Sequence, residues 1–266
     1  MDSGIDYNHP DLAGNIWTNP GEIAENGIDD DGNGFVDDIH GYDFGNNDPD
    51  PEDNIFHGTH VSGTIAAQGN NNIGVTGVNW DAQIMMLKIG DFAPETFAAI
   101  QALEYGILMG AQLTNNSWTV PDSQALRDAI AAAGEEEQLF IAAAGNNSND
   151  NDISPSYPAS YDLDNIISVA ATDENDQLAW FSNFGATSVD LGAPGVEILS
   201  TIPGNNYDFF TGTSMASPHV VGVASLLLAE NPDLSAEEIK DLILSTVDPL
   251  DIFKNKQNRQ INPSKD

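Results

Sequence analysis

Residues 139–146 read LFIAAAGN, a short apolar run that ends in a glycine-asparagine turn. Four further runs have the same character: AQIMMLKI at 82–89, AQLTNNSW at 111–118, IISVAATD at 166–173 and VDLGAPG at 189–195. Apolar runs of this length that end in turn residues are typical of buried parallel strands. The sequence therefore predicts a mainly parallel sheet.

Helical patterns separate these strands. They cover 57–69 (HGTHVSGTIAAQG), Pro94–Met109, Asp122–Gly134, Ser214–Ala229 and Ser235–Thr246. Ser235 with Glu238 three residues later is the signature of a helix capping box. Alternating strands and helices predict an α/β fold with the sheet between helices. Since no repeat or linker interrupts the pattern, we expect one domain over residues 1–266.

The charge balance excludes several classes of partner. The chain has 42 acidic and 7 basic residues, a net charge of −35, and no Lys or Arg before Lys88. Such a surface repels nucleic acid and anionic membranes.

No apolar run is long enough to span a membrane, and no signal segment opens the chain. The absence of cysteine excludes disulfides and thiol catalysis.

A candidate nucleophile lies in FFTGTSMASPHVVGVASLLLA at 209–229. A Gly-Thr-Ser turn opens this helix and places Ser214 near its N-terminus, where free N–H groups and the positive end of the dipole are concentrated. The serine hydroxyl becomes a nucleophile only when a base takes its proton. Taken alone, Ser214 could equally be a helix N-cap.

Three other residues could complete such a site. His57 in HGTHVSGT is the candidate base, and Asp2 in DSGID could orient its imidazole. Asn146 could donate its amide hydrogen to an oxyanion. His60 is interpreted as a structural histidine; a His-x-x-His metal pair is less favoured, because the glutamate and spacing of zinc-protease helices are absent.

In the order Asp, His, Asn, Ser, and with these flanking residues, the chain resembles the subtilisin-like serine proteases (subtilases, peptidase S8). GTSMASPHV and HGTHVSGT are specific matches, supported by HPDL, YPASY, FSNFG and DLGAPGVEILST. The resemblance runs from Asp2 to about Thr246. A lipase or esterase would need glycine two places after the serine, and Ala216 stands there.

The resemblance implies a three-layer fold and a serine endopeptidase acting on proteins or peptides. Ser214 would attack the peptide carbonyl, with His57 as general base and Asp2 orienting it. Asn146 and the backbone N–H of Ser214 would bind the oxyanion. It also implies a secreted monomer with a propeptide or inhibitor in the full-length form. The alternative is an inactive, truncated subtilase that serves only as a calcium- or protein-binding module.

In this family the catalytic aspartate ends a central strand, and Met1 stands where the last residue of that strand would be. We therefore expect the first strand of the fold to be missing from this chain. Without that strand, we expect the Asp2 carboxylate to be weakly anchored.

Substrate contacts are also implied by the resemblance. The segment NNSWT would bind the substrate backbone as an added strand, with Ser117 and Trp118 at its centre. Gly145, Asn147 and Ser156 would contact the substrate as well. Because Asn147 and Ser156 are small and uncharged, we expect a neutral P1 side chain.

An acidic insertion at about 22–53 contains DDDGNGFVDDIH, which matches the first half of a calcium loop. The predicted ligands are Asp29, Asp31, Asn33, the carbonyl of Phe35 and Asp37. His40 stands where an EF-hand has its bidentate glutamate, so this is no EF-hand. A solvated acidic loop is the alternative, and calcium is favoured because similar insertions occur in subtilases. The resemblance implies a second calcium site, incomplete here, with Asp11, Asn71 and the carbonyls of Gly69, Ile73 and Val75.

Overall fold

The structure of the chain, a computed structural model, describes residues 1–250. The strands are β1 (Gly41–Asp43), β2 (Met86–Lys88), β3 (Leu113–Asn116), β4 (Leu139–Ala143), β5 (Ile166–Thr172), β6 (Leu191–Pro194), β7 (Ile198–Ile202) and β8 (Asn206–Phe210). The helices are α1 (His57–Ala66), α2 (Thr96–Leu108), α3 (Gln124–Glu135), α4 (Thr213–Glu230) and α5 (Ala236–Thr246), with a short 3-10 helix at Ala13–Asn15.

The strands form a mainly parallel arrangement, as the sequence predicts. β3, β4, β5 and β6 lie side by side in that order and are all parallel. β1 and β2 form a separate parallel pair, and β7 and β8 form an antiparallel hairpin. The predicted α/β fold is therefore confirmed.

Burial on both faces of the central strand produces three layers. Along β4, Leu139 and Ile141 belong to the core packed by α4 and α5, whereas Phe140 and Ala142 belong to the core packed by α2 and α3. Successive side chains of a strand point to opposite faces, so a strand covered on both sides must be apolar throughout. This explains the continuous run LFIAA.

Helices α3 and α5 begin at residues whose side chains cap them. The predicted capping box is present: the Ser235 hydroxyl accepts from the Glu238 N–H at 3.1 Å, and the Glu238 carboxylate accepts from the Ser235 N–H at 3.0 Å. The Ser123 hydroxyl accepts from the Leu126 N–H at the start of α3. Among residues 1–250, no helix combines the length and apolar character needed to cross a membrane.

A groove of about 570 Å³ separates the two parallel sheets. Residues of β2 and β3, including Met86 and Leu113, line it from opposite sides together with apolar residues of α1 and α4. The facing edges of β2 and β3 are not paired with each other.

The start of the chain lies at one end of this groove. The N–H of Asp2 donates to the Leu87 carbonyl at 3.1 Å, and the Asp2 carbonyl accepts from the Ile89 N–H at 3.0 Å. The Met1 ammonium donates to the Asn115 carbonyl at 2.9 Å. The expected weak anchoring of Asp2 is thus corrected, because backbone hydrogen bonds to strand β2 and its next residue fix its position.

Candidate active site

Asp2 and His57 form a hydrogen-bonded pair. The His57 Nδ1 lies 2.7 Å from the Asp2 Oδ1, which also accepts the Ser3 N–H at 2.8 Å. An ionised carboxylate is acceptor-only, so the proton of this hydrogen bond lies on Nδ1 and the neutral ring carries its lone pair on Nε2. The His57 side chain is 30 % exposed and the Asp2 side chain 12 %. The aspartate is therefore enclosed while the ring remains open to solvent.

The pair shifts both pKa values. Burial by itself raises the pKa of Asp2, but the charge and hydrogen bond of His57 outweigh it and hold that pKa below its usual range. Burial lowers the pKa of His57, and the Asp2 carboxylate outweighs this effect and raises it above 6.5. An imidazolium at His57 is thus favoured by its carboxylate partner.

Ser214 is the second residue of α4 and is half-buried. Its hydroxyl donates to the Ser117 carbonyl at 3.3 Å and, among the residues described, makes no hydrogen bond to His57. Helix α1 packs against α4, and His57 and Ser214 both lie in the first turns of their helices. Loose or misaligned catalytic hydrogen bonds are common in enzymes without substrate.

A proline in α4 leaves the Ser214 carbonyl without its usual helical hydrogen bond. Pro218 lies inside the helix, at its sixth residue. Its missing N–H would otherwise bond the Ser214 carbonyl. The Ser117 hydroxyl donates to that carbonyl at 3.0 Å instead. The helix start is thereby tied to the end of β3.

Asn146 is oriented by the residue next to Ser214. Its Oδ1 accepts from the Thr213 N–H at 2.8 Å and from the Thr213 hydroxyl at 3.0 Å. Because a backbone N–H can only donate, Oδ1 must face Thr213, which leaves Nδ2 on the other side. A methyl group built on Gly212 would lie 3.7 Å from both Asn146 Nδ2 and the Ser214 nitrogen. Two donors therefore flank the same small space.

The expected substrate residues lie around these donors. Ser117 and Trp118 directly follow β3, but the Trp118 side chain is buried and packs edge-on against Phe140. Gly145 is buried beside the Ser156 hydroxyl, and Asn147 is exposed next to Asn146. Trp118 can therefore offer a substrate its backbone, while its ring belongs to the core.

His60 is placed as a structural residue. It is fully buried, its Nε2 lies 2.9 Å from the Ile198 carbonyl and 3.2 Å from that of Asp208, and its ring stacks on Phe210. Burial lowers its pKa to about 4, so the ring is neutral and donates from Nε2. Within residues 1–250, neither histidine belongs to a group of three or more side chains that could hold a metal ion.

The acidic insertion brings together a group of carboxylates that could hold a metal ion. Glu22, Asp31 and Asp38 each present one oxygen, all within 4.8 Å of one another. Asp38 is fully buried and accepts hydrogen bonds from Asn19, Asn33 and Tyr105. Three converging carboxylates suit a hard divalent cation such as Ca²⁺. The sequence pattern identified Asp31 but missed Glu22 and Asp38.

The other expected ligands of this loop make internal hydrogen bonds. Asp29 accepts from the N–H groups of residues 32–34, and Asp37 accepts from those of Asn26 and Gly27. The Asn33 oxygen accepts from the Phe35 N–H at 2.8 Å. These residues shape the turn around the carboxylate group.

The second expected calcium site centres on Asp11, which is fully buried. Its carboxylate accepts from Asn71 Nδ2 at 2.6 Å, from the Val75 N–H at 2.9 Å and from the Tyr207 hydroxyl at 2.8 Å. The Ile73 N–H donates to the Asn71 oxygen, and Gly69 lies against the ring of Trp80. Hydrogen-bond donors from the loop 69–75 and from β8 thus surround the Asp11 carboxylate.

The chain is similar in sequence to known serine proteases. The chain is 38% identical over 284 residues to subtilisin-like protease 1 of Plasmodium falciparum, covering 96% of this chain and 40% of that protein. It is 39% identical over 253 residues to a thermophilic serine proteinase of Bacillus sp. strain AK1, covering 94% of this chain and 56% of that protein. The chain thus spans about half the length of these relatives or less.

A solved structure supports the same assignment. The crystal structure of a cold adapted subtilisin-like serine proteinase aligns with a TM-score of 0.75 and 30% identity, covering 92% of this chain and 79% of that one. The subtilase family model matches residues 1–263. The chain therefore belongs to the subtilase family.

Proposed function

We propose that residues 1–266 form a single catalytic domain that hydrolyses peptide bonds as a serine endopeptidase. The observation that carries this proposal is the 2.7 Å hydrogen bond between Asp2 and His57, because it presents a free imidazole nitrogen at the start of α1, a helix that packs against the Ser214 helix α4. Asp2 lies beside the end of β2, and Ser117, the hydrogen-bond partner of Ser214, directly follows β3. Membership of the subtilase family supports the same reaction.

The reaction follows the usual triad sequence. His57 Nε2 takes the Ser214 hydroxyl proton as Oγ attacks the scissile carbonyl, and the resulting imidazolium is stabilised by Asp2. His57 then gives this proton to the leaving amine as the C–N bond breaks, which leaves an acyl-enzyme. Water deprotonated by His57 attacks the ester, releasing the acid product and regenerating the Ser214 hydroxyl.

The negative charge that develops on the substrate carbonyl would be bound by Asn146 Nδ2 and the Ser214 N–H. Both donors are pre-positioned: Thr213 fixes the amide, and the start of α4 fixes the N–H. Preorganised donors of this type act on the transition state and need no rearrangement during the reaction.

The competing function is a non-catalytic module that only binds calcium or a protein partner. A peptide library blocked at both ends distinguishes the two and also reads the P1 preference. We expect cleavage at internal bonds, mainly after neutral residues, because Asn147 and Ser156 carry no charge. An uncleaved library would support the binding module, and a predominance of basic P1 residues would contradict the assigned S1 lining.

Calcium is the proposed ion for the group of Glu22, Asp31 and Asp38. We expect chelation at low salt to lower the thermal unfolding midpoint by roughly 5–10 °C, since calcium at 100 times its Kd stabilises the fold by about 2.7 kcal/mol. Asp31→Asn should remove most of this dependence. Asp128→Asn, on the exposed face of α3, is the matched control. An unchanged midpoint after chelation would rule out a stabilising calcium ion.

The groove between β2 and β3 yields a further prediction. We expect an N-terminal extension of five apolar residues to pair with both strands, which would raise the unfolding midpoint by about 5 °C or more and increase kcat and calcium affinity. The same extension with a central proline, which cannot donate a ladder hydrogen bond, is the control. Equal midpoints and activities for the two extended chains would refute this pairing.

Membership of the subtilase family also supports a proposal about localisation, substrates and control. We propose a secreted enzyme that acts on protein or peptide substrates as a monomer and is controlled by a propeptide or inhibitor in its full-length form. The net charge of −35 supports a highly soluble protein that does not bind nucleic acid or anionic membranes.

A further inference from the structure

Asn183 is a buried polar residue in the motif FSNFG, between β5 and β6. Its exposed fraction is 1%, and its side chain uses its full hydrogen-bonding capacity. The Oδ1 accepts the N–H groups of Asn147 at 2.8 Å and Asn149 at 3.1 Å. The Nδ2 donates to the Ala144 carbonyl and to Asn151 Oδ1, both at 3.0 Å.

These bonds enclose the turn that carries Asn146. The backbone N–H of Asn183 donates to the Gly145 carbonyl at 2.8 Å, and its side chain binds the N–H of Asn147. Both neighbours of Asn146 are therefore tied to one residue. Asn183 therefore fixes the backbone on both sides of Asn146, and Thr213 fixes the Asn146 side-chain oxygen.

A second buried amide strengthens this connection. Asn151, also 1% exposed, donates to the Ala144 carbonyl at 2.9 Å and accepts from Asn183. Gly145 has φ +109°, and a Cβ there would lie 2.5 Å from Asn183 Nδ2. The close approach of Asn183 therefore requires glycine at 145, which couples the FSNFG motif to the AAGN motif.

We propose that Asn183 is a positioning residue for the oxyanion-binding group: it holds residues 144–147 so that Asn146 Nδ2 reaches the developing negative charge. This inference rests on the proposed function. A hydrogen-bond donor misplaced by about 1 Å can cost on the order of 100-fold in rate. The effect should appear in kcat, because the interaction is made mainly in the transition state.

Asn183→Asp is the sharpest variant. It keeps the size of the side chain but replaces the Nδ2 donor with an acceptor, opposite the Ala144 carbonyl and Asn151 Oδ1. We expect kcat to fall about 10- to 100-fold, with KM changed less than about threefold. Asn183→Ser, which is too short to reach the turn, should lower kcat in the same direction. It serves as the second variant if the aspartate variant does not fold.

A double-mutant cycle with Asn146→Ala separates positioning from general damage. Once Asn146 is removed, the Asn183 substitution should lower kcat by less than about threefold further. Asn165→Asp is the matched control: Asn165 is also buried and donates to the carbonyls of Ile130 and Gln138 on the α3 side of the sheet. It should lower the unfolding midpoint and leave kcat unchanged below that midpoint.

The outcomes separate this inference from the proposed function. An Asn183 variant with wild-type kcat, or with the same loss in both backgrounds, overturns the positioning role while Asn146→Ala remains slow. A wild-type chain that hydrolyses no peptide overturns the proposed function and this inference together.

Discussion

Ser214→Ala is expected to lower kcat by on the order of 10⁶-fold, with KM nearly unchanged. The hydroxyl is the proposed nucleophile, and among the described residues it makes only one hydrogen bond, to the Ser117 carbonyl. Its removal therefore leaves the fold intact and removes the atom that forms the acyl-enzyme. The residual rate would come from the oxyanion donors acting on an attacking water. Hydrolysis of an internally quenched peptide measures the change.

Ser225→Ala is the matched control for this substitution. Ser225 lies on the same helix, donates to the Gly222 carbonyl and accepts from Asn79. We expect its kcat to remain within about threefold of wild type, because surface and remote substitutions rarely alter the site. Equal activity of Ser214→Ala and Ser225→Ala would exclude Ser214 as the nucleophile.

Asp2→Asn is expected to lower kcat by about 10⁴-fold. An amide at this position has no negative charge to stabilise the imidazolium of His57. Its NH₂ group can also favour the tautomer that puts the proton on Nε2, which leaves no base for Ser214. We expect this effect at Asp2 because its Oδ1 is the atom that accepts the hydrogen bond from His57 Nδ1.

The pH dependence of Asp2→Asn provides an independent readout. The general base must be neutral, so activity is lost as pH falls through the pKa of His57. Asp2 raises that pKa, and the acid limb of the wild-type kcat/KM profile should therefore lie at a higher pH than an unperturbed histidine would give. Without the carboxylate the limb should move to lower pH.

Asp6→Asn is the control for this pH shift. Asp6 is a buried aspartate of the same segment that accepts from the N–H groups of Asn8 and Gly204, away from His57. Its profile should match that of the wild type. An acid limb at the same pH in Asp2→Asn and wild type would contradict the assigned role of Asp2.

The sheet and helices could be predicted from the sequence because local signals determine them. The run at 139–143 is apolar on both faces because helices cover both faces of the sheet. The start of α5 is fixed by hydrogen bonds between Ser235 and Glu238, which are only three residues apart. His57 and Ser214 could be chosen because their motifs, HGTHVSGT and GTSMASPHV, are specific, whereas Asp2 and Asn146 could be chosen mainly from the order of the four motifs along the chain.

Other features depend on contacts between distant segments. Glu22 joins Asp31 and Asp38 only when the acidic insertion folds back on itself, so a pattern of regular ligand spacing could not find it. Asn183 reaches the Asn146 turn from another loop, and the sequence FSNFG alone does not indicate that contact. The burial of the Trp118 ring likewise depends on Phe140 in the neighbouring strand.

Reaction of the wild-type chain with a fluorophosphonate probe over a range of pH tests the central claim most directly, namely that His57 activates Ser214. We expect one adduct per chain, mapped to Ser214 by peptide mass spectrometry. Its rate of formation should rise with pH through the elevated pKa of His57, and the adduct should be absent in Ser214→Ala. No adduct, an adduct on another residue, or a rate of formation that does not change with pH would contradict the claim.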